Sequence, residues 1–521
     1  MSSRRVLAGI AAVVVAMAAS TAAAQEVIDL SGEAPDDGSE FILVPFDVPA
    51  GTAEIEVEHD DFSEANILDW GLLDPNGNRG WGGGNSENAV VGVHAASRSY
   101  VPGPLPPGRW NVVIGKAQVP EVPIQYQLRV TLRDAETLAP QPERAPYQPA
   151  PALEQGPRWY AGDFHLHCRE SGDASPTLDE VATFARGRGL DFVVVTDHNV
   201  VTQQDFYNDV QPRHPSLLLI PGFEYTTYAG HANAIGGTRW VDHKVGFGGV
   251  TIEGAAQEIR DQGALLMINH PTFDLGDMCI GCAWEQDLSA EYIDAVEVGS
   301  GSALKTGALF GSSAVAFWEN ICASGRHAAA VGGSDDHKAG QNLGAFDSPI
   351  GDPTTMVFAE ELSVAGILDG VRAGHTVVKL QGPDDPMIEL SSSTPAQGDT
   401  VSAASVTLSA TITGGDGHTV RFVHNGEAQP EVDVVGDAFV HQVRAVAPAS
   451  GEDFWRVEVL ERGKRRTVTS HIYLQTGPAE VAVDEATGGC GCRAARGQGS
   501  GDLGWLVALL LMVVVRWRGR V

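Results

Sequence analysis

The chain has 521 residues, more than one hydrophobic core usually supports, so several domains are expected. It carries 34 Lys and Arg against 67 Asp and Glu, a formal charge of −33. That balance repels phosphate backbones and anionic lipid, so it argues against nucleic acid as a partner and for small or neutral ones; it also suits a soluble exported protein.

Residues 1–24 open with Arg4-Arg5, continue as an apolar run from Val6 to Ala18 and end in the small residues Thr21 to Ala24. This pattern predicts a secretory signal peptide cleaved after Ala24. Residues 25–133 hold short β-branched runs such as Phe41-Ile-Leu-Val and Trp110-Asn-Val-Val-Ile between Gly, Pro and Asn turns, which predicts a β-sandwich. Residues 134–157 are rich in proline and read as an extended linker. From 158 to 384, apolar runs such as Phe192-Val-Val-Val and Ala264-Leu-Leu-Met-Ile alternate with helix-like segments, including Leu178–Arg188 and Ile252–Gln262. Continuous apolar strands mean both faces are covered, so this is an α/β region with a parallel sheet or barrel. Residues 385–476 return to short strands and predict a second, Ig-like sandwich.

Residues 477–521 form a tail: Cys490-Gly-Cys492, an apolar run Leu503 to Val515, and the basic end Arg516 to Arg520. The run would be roughly 20 Å long as a helix, short of a ~30 Å hydrocarbon core unless flanking residues snorkel. The tail resembles the sorting tails of myxobacterial surface proteins. That resemblance implies cutting near Cys490 or Cys492 by a processing protease, leaving the protein at the cell surface or released; a permanent anchor is the alternative. Of the six cysteines, Cys279 and Cys282 form a lone Cys-x-x-Cys, read as a loop-closing disulfide ahead of a redox pair or half a zinc site. Cys168 and Cys322 are a pair or two buried thiols.

Five strand ends between 158 and 384 carry polar clusters. Gly162-Asp163-Phe164-His165-Leu166-His167 places two imidazoles on one side of a strand. Val195-Thr196-Asp197-His198 ends an apolar run abruptly. Pro221-Gly222-Phe223-Glu224, followed by Gly230-His231, is the third; Asn269-His270-Pro271 and Gly333-Ser334-Asp335-Asp336-His337 complete the set. Any one histidine is more often packed or exposed than a ligand, but coincidence at five strand ends is implausible. Imidazoles with carboxylates are ligands for zinc, manganese or iron, and a carboxylate such as Glu224 can bridge two cations.

This order of motifs resembles the PHP (polymerase and histidinol phosphatase) superfamily, and within it the CehA/McbA-type metallohydrolases, over residues 158–383. The resemblance implies a distorted (β/α)7 barrel with two or three divalent ions. It places His165, His167, Glu224 and Asp335 at a first ion. Glu224, His231 and His270 would hold a second, and Asp173, His198 and His337 a third. Two departures stand out: Cys168 replaces the usual Thr or Ser, and His375 replaces an Arg that could clamp an anion.

The expected activity is hydrolysis, with a metal-activated hydroxide beside a phosphoryl or acyl centre. Asp335 could also accept the water's proton, and Arg169 or Lys338 could hold an anionic group, a solvent-facing charge being the alternative for both. Glu297 sits at a further strand end, as support or packing. The expected substrate is a small ester, most simply a phosphoester, with an amide or carbamate as the variant. The competing class is a non-catalytic surface binder whose β domains contact glycans or peptides.

Overall fold

The computed structural model describes residues 25–276, 279–301, 307–344, 347–392 and 396–477; the expected signal peptide and sorting tail, with Cys490 and Cys492, lie outside them. The described residues belong to one folded unit.

The N-terminal part is all strand: β1 (Gln25–Ala34), β2 (Phe41–Val48), β3 (Glu54–Asp60), β4 (Ile67–Asp74), β5 (Gly77–Gly83), β6 (Ala89–Gly92), β7 (Gly108–Gln118) and β8 (Ile124–Arg133). Sheet β1-β8-β3-β6 packs on sheet β2-β7-β4-β5, because alternate residues of each point into a shared core with Ile55, Val130, Phe46 and Trp110. The residues expected to be a linker are tied down. Thr137 donates to the buried Glu54, and Arg144 meets the buried Glu170 at 3.2 Å.

The central part contains β9 (Glu154–Leu166), α1 (Leu178–Gly187), β10 (Phe192–Val195), α2 (Tyr207–Val210), β11 (Leu218–Ile220), β12 (Glu224–Thr227), β13 (Gly230–Ile235), α3 (Ile252–Arg260), β14 (Leu265–Ile268), β15 (Ala295–Ser300), α4 (Gly307–Ala323), β16 (Ala329–Gly333), β17 (Thr354–Leu362), α5 (Val364–Arg372) and β18 (Thr376–Lys379). Both sequence-predicted helices form, α1 behind a Thr177–Glu180 capping box and α3 behind Thr251.

The expected (β/α)7 barrel is not shown; the strands fall into two sheets. One runs β12-β13-β14-β15-β16; the other begins β11-β10-β9-β17-β18. β9, β10 and β11 are parallel, as are β14, β15 and β16, but β12–β13 is a hairpin and β17 runs antiparallel to β9. The sheets meet through the isolated bridges Leu166↔Asp336 and His198↔Glu224. Apolar runs report that a strand is covered on both faces but not its direction, so the alternation of helix and strand was over-read between 224 and 235 and after 354.

The C-terminal part contains β19 (Met387–Ser391), β20 (Thr400–Ser402), β21 (Ser405–Thr413), β22 (Thr419–His424), β23 (Glu427–Ala428), β24 (Val432–Asp433), β25 (Phe439–Val446), β26 (Glu452–Glu461), β27 (Lys464–Thr469) and β28 (Ile472–Gln475). Sheet β19-β21-β25 faces strands that continue the central sheet, since β27 pairs with β18 at Val377↔Thr469. The boundary expected at 384/385 is therefore crossed by sheet hydrogen bonds.

Candidate metal centre

The ligand candidates sit where apolar strands run out. β9 is buried from Tyr160 to Leu166, and its end delivers His165 and His167 into the interior, both fully buried. His198 follows β10, Glu224 opens β12, His231 lies in β13, His270 follows β14, and Asp335 and His337 follow β16. Asn199, His270 and Asp335 all have left-handed backbone conformations, with φ of 53°, 24° and 55°. Such conformations are rare away from glycine and turn the chain sharply enough to aim a side chain back at the cluster.

Glu224 is the hub. Its Oε1 lies 3.3 Å from His165 Nε2, 3.3 Å from His231 Nδ1 and 3.6 Å from His270 Nε2. Its Oε2 lies 2.6 Å from His198 Nδ1 and 3.7 Å from His167 Nε2. Asp335 Oδ1 lies 3.3 Å from His165 Nε2 and 3.1 Å from His167 Nε2. Asp173 Oδ2 spans the outer edge, 3.3 Å from His198 Nε2 and 3.2 Å from His337 Nε2. For bonds of about 2.1 Å, ligand atoms on a tetrahedral centre stand about 3.4 Å apart, which matches much of this spacing.

The donor set fits metal ions on a second ground. Among the described residues, His231 Nε2 is buried with no hydrogen-bond partner, and the close contacts that His165 Nε2 and Glu224 Oε2 make within the cluster lack hydrogen-bond geometry, a costly state unless something else binds them. Two carboxylates and one imidazole are held in the form a cation needs, while the pKa values of His165, His198 and His337 are raised, against burial, by the carboxylates around them. Burial would raise the Glu224 and Asp335 carboxyls, but the surrounding histidines hold both well below the usual range. Burial, with His337 and His198 nearby, pushes His167 down to about 3, leaving a neutral imidazole.

Several residues orient this cluster. Glu297 Oε1 lies 3.3 Å from His165 Nδ1, and its Oε2 accepts the His270 backbone N–H at 2.7 Å. It therefore holds two ligands at once, a role the sequence left open against packing. Asp163 accepts backbone N–H groups from His165, Ser334 and Gly351, stapling β9 to the loop after β16. Asp197 accepts from the Cys168 backbone and thiol, so Cys168 packs and is not a ligand. Sequence reading passed over Asp163 and Asp197 because a carboxylate beside a histidine motif looks the same whether it faces the ion or the backbone.

Other candidates are placed elsewhere. Arg169 does not line the cavity; its guanidinium is half exposed, 3.7 Å from Glu170. Lys338 pairs with Asp347 at 2.5 Å. His375 lies 3.5 Å from Asp399, beside β18. Cys279 and Cys282 pair as a disulfide, while Cys168 and Cys322 are separate buried thiols. Cys282 Sγ lies near His231 and His270, but a disulfide sulfur is not a thiolate ligand. The cluster opens into a cavity of about 670 Å³.

No protein-family model matches the chain, and neither does any curated protein. Among solved structures, one similar chain is a two-domain protein containing a predicted PHP-like metal-dependent phosphoesterase from Bacteroides vulgatus. It is 19% identical, with 64% of this chain and 100% of that chain covered at a TM-score of 0.35. Another is an amidohydrolase from Chromobacterium violaceum with bound sulfate and no metal. It is 17% identical, with 36% and 93% covered at a TM-score of 0.24. These likenesses are too weak to carry function, which rests on the side chains themselves.

Proposed function

We propose that this chain is an exported, metal-dependent hydrolase of the PHP type and CehA/McbA kind, acting on small phosphoesters. The observation that carries the reading is the convergence of His165, His167, His198, Glu224, His231, His270, Asp335 and His337 on one buried cluster whose nitrogen and oxygen atoms stand at metal-ligand spacing. The order of the motifs along the sequence supports the superfamily, and the apolar N-terminal run supports export.

His165, His167, Glu224 and Asp335 would hold one divalent ion, Glu224 with His231 and His270 a second, and Asp173, His198 and His337 a third; zinc, manganese and iron all suit this donor set. Bound there, such ions supply Lewis acidity, lowering the pKa of water and neutralising anionic oxygen. The protein's own share is orientation. Glu297 fixes the His165 ring, Thr226 Oγ1 lies 2.7 Å from His198 Nδ1, and the buried strand ends keep bulk water from the inner carboxylates. Asp335, 29% exposed towards the cavity, is the inner carboxylate that an attacking water can reach.

A second reading, amide or carbamate hydrolysis at the same site, is favoured by one feature: among the described residues no Lys or Arg lines the cavity. Purified residues 25–485 should carry about two or more transition-metal ions per chain by elemental analysis, consistent with a bridging carboxylate. His165→Ala/His167→Ala should lose metal and all turnover. Parallel assays on phosphomonoester, phosphodiester and carbamate substrates separate the two readings. A protein that stays metal-free after reconstitution would sink both.

A further inference from the structure

The cavity beside the cluster has two halves. One is made by the ligand-bearing loops; the other is contributed by the N-terminal sandwich, through Phe41 of β2, Asp69 of β4 and Trp81 of β5. Tyr228, in the turn between β12 and β13, joins them. Its hydroxyl donates to Asp69 Oδ2 at 2.7 Å, and its ring stacks on Phe41 at 5.5 Å. The halves fit closely: a Cβ added at Gly115 would stand 2.2 Å from Tyr228 Oη, and one at Gly172 would stand 2.2 Å from the Gly82 carbonyl. This wall is therefore fixed in place by backbone contact.

Two polar groups in that wall are unfinished. His243 lines the cavity and is only 3% exposed, yet neither ring nitrogen has a hydrogen bond among the described residues. Its ring meets the Trp81 indole edge-on at 4.4 Å, so packing holds it and no polar partner does. Buried polar groups normally find partners, and one without, on the lining of an open cavity, is a group that a ligand's hydrogen bond would satisfy. Asp69 spends Oδ2 on Tyr228, and Oδ1 makes no hydrogen bond among the described residues. Together they offer a carboxylate oxygen, a phenol oxygen and an imidazole against aromatic carbon. Such a surface accepts hydrogen bonds from hydroxyls, covers the C–H face of a ring and repels a second anion.

We infer that this sandwich wall is the leaving-group subsite of the hydrolase and takes a hydroxyl-rich organic group, a sugar or polyol, with Asp69 and His243 as its specificity-determining residues. The inference rests on the hydrolase reading above. An ester would present its reacting centre to the cluster and its hydroxyls to Asp69 and His243.

The test uses the metal-loaded full chain and two monoesters, glucose 1-phosphate and phenyl phosphate. Wild type should favour the sugar ester. Asp69→Asn and His243→Phe should each lower the ratio of kcat/KM for the sugar ester over phenyl phosphate at least tenfold, mainly through KM, with metal content retained. Methyl glucoside, followed by saturation-transfer NMR, should bind wild type and be lost from Asp69→Asn. An unchanged ratio in both variants, or wild type that neither binds the glucoside nor favours the sugar ester, overturns the subsite. Glucoside binding that depends on Asp69, with no ester turned over, upholds the subsite and overturns the hydrolase reading instead.

Discussion

Glu297 shows how one carboxylate can order a cluster from its edge. It orients His165 through the ring and His270 through the backbone, so its loss loosens two ligands together. Glu297→Ala should weaken metal affinity by about 10- to 100-fold, and Glu297→Gln, which keeps an acceptor for His165, should recover part of it. Competition with a chelator of known affinity measures both; equal affinity in all three proteins would remove the role. Gly333 is constrained from the other side. A Cβ there would stand 2.3 Å from His165 Cβ and 2.8 Å from Glu297 Oε1. Gly333→Ala should therefore cost about 1–3 kcal/mol and lower metal content, read by thermal melting and elemental analysis. The candidate ligands follow from motif spacing, whereas Glu297 stays open between support and packing, because Val296-Glu297-Val298 reads equally well as a strand with one tolerated charge.

At the scale of elements, the junction between α4 and the C-terminal strands carries a pH signature. His471, just after β27, is 1% exposed, stacks on Trp318 at 4.0 Å and, among the described residues, has no hydrogen bond to either ring nitrogen. Burial, with the charges of Arg456 and His327, holds its pKa well below the ordinary value. The folded chain thus keeps the imidazole neutral while the unfolded chain takes up a proton below about pH 6.5. The sign follows: stability is full above that pH and falls as pH drops through it. Between pH 7.5 and 5.5, in chelator, wild type should lose more melting temperature than His471→Phe, which keeps the stack. Equal losses would show that His471 is not the titrating group. No periodicity in the sequence marks this residue, since its burial depends on α4 arriving from 150 residues away.

For the whole molecule, the N-terminal sandwich and the central region are bound together at the loop that carries Asp173. Arg98 donates to the carbonyls of Ala174 at 2.8 Å and Gly172 at 3.0 Å, and Ser99 Oγ donates to the Glu170 carbonyl at 2.7 Å. These are backbone acceptors, so the clamp acts on loop shape rather than on any one side chain. Arg98→Ala should release the loop and lower metal content by up to one ion per chain, from the group formed by Asp173, His198 and His337, while the ions at Glu224 remain. Full metal content with unchanged turnover would mean the sandwich only packs against the site. The shared sheet through β18 and β27 ties the C-terminal strands in as firmly.

The sequence by itself determined the candidate site and the materials. Polar residues at the ends of apolar strands name a cation-binding cluster, because such strands are buried and a buried histidine or carboxylate needs a partner. The period-two runs at both ends name sheets, and the helix-like segments Leu178–Arg188 and Ile252–Gln262 name α1 and α3. Only the tertiary structure decided strand direction, the split into two sheets, and which carboxylates face the cluster and which face backbone. It alone brought Asp69 and Trp81, more than 100 residues before Glu224 in the chain, to the same cavity. The reason is physical: local patterns record what a residue must be buried with in kind, whereas pairing across the chain is set by packing that no local window contains.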